Sequence, residues 1–91
     1  MQSVSTAQIR GARGMLDWSM TDLAKAARVS VSTVKRCENG EQAAVSPQTV
    51  SMIREALESS GIQFLEDDER GPGLRLNPRS HPQASAFSRF L

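Results

Sequence analysis

The sequence is poor in the residues that most often carry chemistry. Its 91 residues include no tyrosine, one tryptophan, one histidine (His81) and one cysteine (Cys37). A lone cysteine excludes an internal disulfide, and a lone histidine leaves no zinc set, so no metal is expected. No nucleophile is paired with a histidine, no acid and base converge, and no glycine loop is spaced to cradle phosphate. No catalytic residues and no cofactor are therefore expected, and the chain does not read as an enzyme. It lacks an apolar run long enough to span a bilayer and a basic-then-apolar opening, so the expectation is a cytoplasmic protein away from membranes. A chain this short has room for one small core, which oligomerisation often supports.

Charge of one sign is not in excess either: 11 basic against 10 acidic residues give a formal net charge of +1. Its distribution is uneven. Between Ser19 and Gly40, Lys25, Arg28, Lys35 and Arg36 outnumber Asp22 and Glu38, whereas Glu55, Glu58, Glu66, Asp67, Asp68 and Glu69 crowd a later block with Arg54 and Arg70 at its borders. Both sets read first as solvated faces. The asymmetry also suits a basic front that steers toward DNA and an acidic rear.

What the sequence does have is helix punctuation. Ser5-Thr6-Ala7-Gln8 has capping-box spacing, and Ile9, Ala12 and Leu16 follow as an apolar stripe, so a first helix is expected from about Thr6 to Leu16. Gly11 and Gly14 interrupt it, and the expected use of both is close approach of a neighbouring helix. Ser19-Met20-Thr21-Asp22 opens a second helix with inner positions Leu23, Ala24 and Ala27, ending near Ala27 or Arg28, with Val29 as a core plug. Ser30 caps a third helix in which Val34 and Cys37 face inward and Asn39-Gly40 closes the end. Cys37 reads as a small core hydrophobe rather than a redox switch. Met15, Trp18 and Met52 read as core or core-rim residues.

Glu41 to Val45 reads as a loop. Ser46-Pro47 then starts a fourth helix with Val50, Ile53, Ala56 and Leu57 on its apolar side, stopped by Gly61. Beyond it the period becomes two: Ile62, Phe64 and Glu66 alternate against Gln63 and Leu65, and Leu74 and Leu76 alternate with Arg75, across a Gly/Pro-rich turn. A β-hairpin pairing Ile62–Glu66 with Leu74–Asn77 is expected, packed on the fourth helix or on a second subunit. Residues 78–91 read as a flexible tail whose apolar end, Phe87 to Leu91, is a docking peptide at most. The expected organisation is mainly α: a four-helix unit over 1–61, a hairpin over 62–77 serving dimerisation, and the tail.

Two short helices around a tight turn from Ser19 to Gly40 have the grammar of a helix-turn-helix, whose second helix can enter the major groove. Trp18-Ser19, Leu23-Ala24, Val29-Ser30 and Glu38-Asn39-Gly40, in that order and spacing, resemble the phage-repressor-like Xre/Cro-type transcriptional regulators of bacteria and phages. The resemblance covers roughly Thr6 to Gly61. It implies that Val31, Ser32, Lys35 and Arg36 contact bases and neighbouring phosphates, that Thr33 touches backbone phosphate, and that Asn39 holds a phosphate after the recognition helix. It also implies a structural ion pair between Arg13 and Glu38.

Three departures stand out. Met20 occupies the place where the family commonly has glutamine, Arg28 stands where it usually has glycine, and a hairpin replaces a fifth helix. A Phe-Leu…Gly-Pro-Gly-Leu-Arg-Leu ending is similar to that of small bacterial members. Arg28 at a left-handed turn position carries strain and is a candidate phosphate contact. The function implied is sequence-specific binding of double-stranded DNA by a homodimer on a pseudo-palindromic operator, at the nucleoid, with the transcription machinery or a regulatory protein as a further partner. Ile62, Phe64, Leu74 and Leu76 are the expected dimerisation residues. The alternative is a protein-interaction module, anti-activator or antitoxin-like, that keeps the fold without DNA readout.

Overall fold

The computed structural model describes residues 4–77, so the sequence readings for residues 78–91 lie outside the described part. Four helices precede one hairpin: α1 (Thr6–Met15), α2 (Met20–Ala27), α3 (Val31–Glu38), α4 (Pro47–Ser59), β1 (Ile62–Asp68) and β2 (Gly71–Leu76), with a 3-10 turn at Gln42–Ala44 inside the expected loop. The fold is thus mainly helical, as its pattern of caps and stripes requires.

Each helix starts where a serine accepts a hydrogen bond from the backbone N–H three residues on: Ser5 from Gln8, Ser19 from Asp22, Ser30 from Thr33 and Ser46 from Thr49. In α1 and α2 the bond is reciprocated, because the Gln8 and Asp22 side chains accept from the N–H groups of Ser5 and Ser19. Such caps satisfy amides that the helix leaves open, each worth about 1 kcal/mol. The helices then bury one stripe each. Ile9, Ala12 and Leu16 meet Leu23, Ala24 and Ala27 of α2, Val34 and Cys37 of α3, and Ile53 and Leu57 of α4 in a single core. Val4, which carries no sequence signal, joins it at 4% exposure. Met15 departs from its expected place: it is the exposed large hydrophobic at the end of α1.

The α2–α3 turn closes through Arg28, which adopts φ +60° and ψ +44°. The N–H of Val29 donates to the Ala24 carbonyl at 3.0 Å, the bond that a left-handed residue after a helix makes accessible. For a residue with a Cβ this conformation costs about 1–2 kcal/mol. Asp17, between α1 and α2, takes the same region at φ +57°, a turn that its sequence did not announce.

The hairpin is antiparallel, pairing Ile62 with Leu76 and Phe64 with Leu74, with an irregularity between Leu65 and Asp68. Its strands run further than expected, into Asp67 and Asp68 on one side and Gly71 to Gly73 on the other, because the bulge absorbs the polar residues while they stay exposed. Strand β2 packs on α1, which was not expected, and β1 packs on α4, one of the two expected supports. Gly11 makes the first contact feasible, since a Cβ there would lie 2.9 Å from Leu74 Cδ1. Gly14 has no such neighbour, so a close approach exists at Gly11 alone, and it is by a strand rather than by the expected helix. Gln8 ties the same two elements, its Nε2 donating to the Gly73 carbonyl at 3.0 Å.

Candidate nucleic-acid interface

Helix α3 sorts its eight residues into two sets. Val34, Cys37 and Glu38 have no exposure, whereas Ser32, Lys35 and Arg36 are exposed. The exposed three fall at i, i+3 and i+4, so they share one face. Val31, half-buried, opens that side, and Thr33 is half-buried. The Thr33 hydroxyl lies 2.9 Å from Ser30 Oγ, so it is engaged in the cap. Arg28 projects from the turn just before the helix, and Asn39 is exposed at its end, with its N–H donating to the Lys35 carbonyl at 2.9 Å. Gly40 follows at φ +84°, and Glu41 N–H donates to the Arg36 carbonyl at 2.9 Å, which closes the helix. One short element thus brings together Arg28, Val31, Ser32, Lys35, Arg36 and Asn39 on or beside an outward surface.

The helix is held from behind by an ion pair. Arg13 Nε donates to Glu38 Oε2 at 2.9 Å and Arg13 Nη2 to Glu38 Oε1 at 3.0 Å. Arg13 Nη1 donates to the Trp18 carbonyl at 2.9 Å, just ahead of the α2 cap. A two-pronged guanidinium–carboxylate contact fixes orientation as well as distance. Arg13 therefore links α1, the entry to α2 and the end of α3. Arg10, which sequence reasoning passed over, donates from Nη1 to the backbone carbonyl of Glu38 at 3.2 Å. The only sequence signal for it was its spacing three residues before Arg13.

Electrostatics agree with this division. Burial, and then the negative charge of Glu38, push the Cys37 thiol above its ordinary pKa, so it stays protonated near neutrality and is a core group rather than a nucleophile. Backbone and then side-chain hydrogen bonds from Ser19 hold Asp22 below the usual carboxylate range, with Lys25 adding a smaller effect in the same sense. Met20 is half-buried against the core at the first position of α2, so a thioether occupies that front-edge position and has no proton to donate.

The four expected dimerisation residues lie on the hairpin face turned toward the helices. Ile62 is 3% exposed and belongs to the core, while Phe64, Leu74 and Leu76 are partly buried against it. Most of their apolar surface is satisfied within the chain. Among the described residues, no group of three metal-ligating side chains occurs, and no helix is long and apolar enough to cross a membrane.

Comparison with known proteins agrees with this geometry. No curated protein matches the sequence. The family model for the helix-turn-helix matches residues 9–64, from α1 into β1, well over half of the chain. With α2 to α4 and their caps, the Arg13–Glu38 clamp and the outward face of α3 inside that span, the chain belongs to the Xre/Cro-like helix-turn-helix family of DNA-binding regulators.

Proposed function

We propose that this protein is a transcriptional regulator that reads a pseudo-palindromic site in double-stranded DNA as a homodimer, with α3 in the major groove of each half-site. The observation that carries the reading is the outward face of α3. Ser32, Lys35 and Arg36 stand exposed together on a helix whose opposite side is fully buried. Hydroxyl, ammonium and guanidinium groups at that spacing match the acceptors on base edges and phosphates, and Val31 offers a methyl contact for thymine. Arg28, Thr33 and Asn39 are assigned to phosphate at either end, Thr33 through whatever capacity its cap bond leaves.

A helix this short reads only a few base pairs, so useful specificity calls for two copies about 34–36 Å apart. The hairpin offers the means. The Asn77–Gly61 bond sets the antiparallel alternation, which turns the backbone groups of Ile62 and Phe64, and of Leu74 and Leu76, away from the partner strand. Those edges suit pairing with a second copy through main-chain bonds rather than through side chains already packed inward. Such a regulator works in the cytoplasm, on the nucleoid.

Selection of bound sequences from random duplex DNA tests both parts. Two inverted half-sites about one helical turn apart are expected, with a dimer by light scattering. A single unrepeated site bound by a monomer overturns the dimer, and no enrichment at all overturns DNA readout. Arg36→Ala refines the assignment: lost sequence preference marks a base contact, and uniform weakening marks a phosphate contact.

A further inference from the structure

Arg10 is exposed, and one of its N–H groups is spent on the carbonyl of Glu38, 3.2 Å away. A guanidinium has five such donors in a fixed fork, so four remain. Nor is its charge neutralised. The carboxylate of Glu38 is already taken by both prongs of Arg13. Among the described residues the ion pairs within 4.0 Å are Arg13–Glu38 and Arg54–Glu58, and neither involves Arg10. The carbonyl end of α3 offsets about half an elementary charge, which leaves a net positive spot beside Asn39 and Gly40. A residue needed only to cap α3 would be served by one donor. This one is held at the carbonyl of the residue that precedes the exposed Asn39, with its remaining donors in no other hydrogen bond among the described residues.

We infer that Arg10 is a second phosphate-binding residue from outside the helix-turn-helix, gripping the DNA backbone together with Asn39 at the far end of α3. The inference rests on the DNA-binding reading above. Its chemistry is that of a guanidinium fork on phosphate oxygens, with the bond to Glu38 pre-setting the fork's direction. The ligand is the backbone, so Arg10 adds affinity and salt dependence without sequence preference.

The test is the salt dependence of binding of the full chain to its selected DNA site, for wild type, Arg10→Ala, Arg10→Gln and Arg10→Lys. For a dimer on two half-sites, the two neutral variants are expected to lower the slope of log K against log salt by about 2, one per protomer, with sequence preference unchanged. Lysine is expected to retain the slope although its shorter reach loosens the bond to Glu38. Thermal unfolding of the free proteins reads the capping role separately. If Arg10→Ala does not fold, the Gln–Lys contrast decides in the same way. An unchanged slope in folded neutral variants, with binding by the wild type intact, overturns the role of Arg10 alone. A wild type that binds no DNA overturns the underlying reading and this inference with it.

Discussion

Gln8 and Gly73 stand 65 residues apart in the chain, yet the Gln8 amide donates to the Gly73 carbonyl at 3.0 Å while its oxygen accepts from Ser5 N–H at 2.9 Å. One side chain, 7% exposed, thus completes the α1 cap and pins the hairpin to the first helix. Gln8→Ala removes both bonds, and at about 0.5–1.5 kcal/mol each the expected loss is about 1–3 kcal/mol. Urea denaturation measures it. Faster amide exchange in β2 than in α4 locates it, whereas uniform exchange would show that the hairpin does not depend on this tie.

Glu38 is fully buried and Arg13 is 23% exposed. Removing the arginine strands a carboxylate without exposure, so Arg13→Ala is expected to cost about 3–5 kcal/mol. Arg13→Met with Glu38→Met removes both charges and is expected to be less damaging than the single change. A double variant destabilised by the full sum of the Arg13→Met and Glu38→Met single changes would mean that the two charges are not coupled, which denaturation midpoints of all three proteins would reveal.

Arg28 combines a strained backbone with an outward charge. Arg28→Gly is expected to raise stability by about 1 kcal/mol by relieving the left-handed conformation. The same change is expected to weaken DNA binding and to lower the salt slope by about 1 per protomer. Opposite signs in thermal unfolding and in binding are the signature; a gain in both would remove Arg28 from the interface.

The two glycines of α1 separate helix propensity from packing. Gly14→Ala meets nothing within 4 Å and is expected to stabilise by about 1 kcal/mol, a rise of about 4–8 °C in Tm for a domain of this size. Gly11→Ala must displace the end of Leu74 from 2.9 Å and is expected to fall well short of that. Equal gains at both positions would show that Leu74 moves aside freely.

Stability should fall at both ends of the pH scale, for different groups. Asp22 is held below its ordinary 3.8 by the Ser19 bonds, so its contribution is present above that value and is lost as the pH drops through the lower folded value. Cys37 is held above its ordinary 9.0, so its contribution is complete below 9.0 and is lost as the pH rises toward the higher folded value. Asp22→Asn is expected to flatten part of the acid limb of a Tm profile, and Cys37→Ala part of the alkaline limb after correction for its lost packing.

The four helix starts were legible because a hydroxyl and a partner three residues on are a local signal, decided within one turn. The buried stripe from Ile9 to Leu57 was legible for the same reason. Gly40 and Gly61, at φ +84° and +108°, stopped helices where the sequence placed the stops. The full length of β1 was not legible, since Asp67 and Asp68 carry little strand preference and are drawn into the ladder by a bulge. Nor was the docking of β2 on α1, which depends on Gln8 and Gly11 meeting Gly73 and Leu74 from the far end of the described chain. In the candidate site, Lys35 and Arg36 announced themselves by position, whereas Arg10 acquires its place only when α1 is laid across the end of α3. The inward turn of Ile62, Phe64, Leu74 and Leu76 is a tertiary choice between the chain's own helices and a second copy, which alternation alone leaves open.

The residues that anchor α3, Val34, Cys37 and Glu38, share no member with those it displays, Ser32, Lys35 and Arg36. Exposed positions of this kind usually tolerate exchange within about 0.5 kcal/mol. If α3 reads DNA as proposed, exchanging these three side chains would change the preferred sequence while the platform beneath them keeps its stability. The separation gives this short helix an exchangeable outer face on a fixed mount.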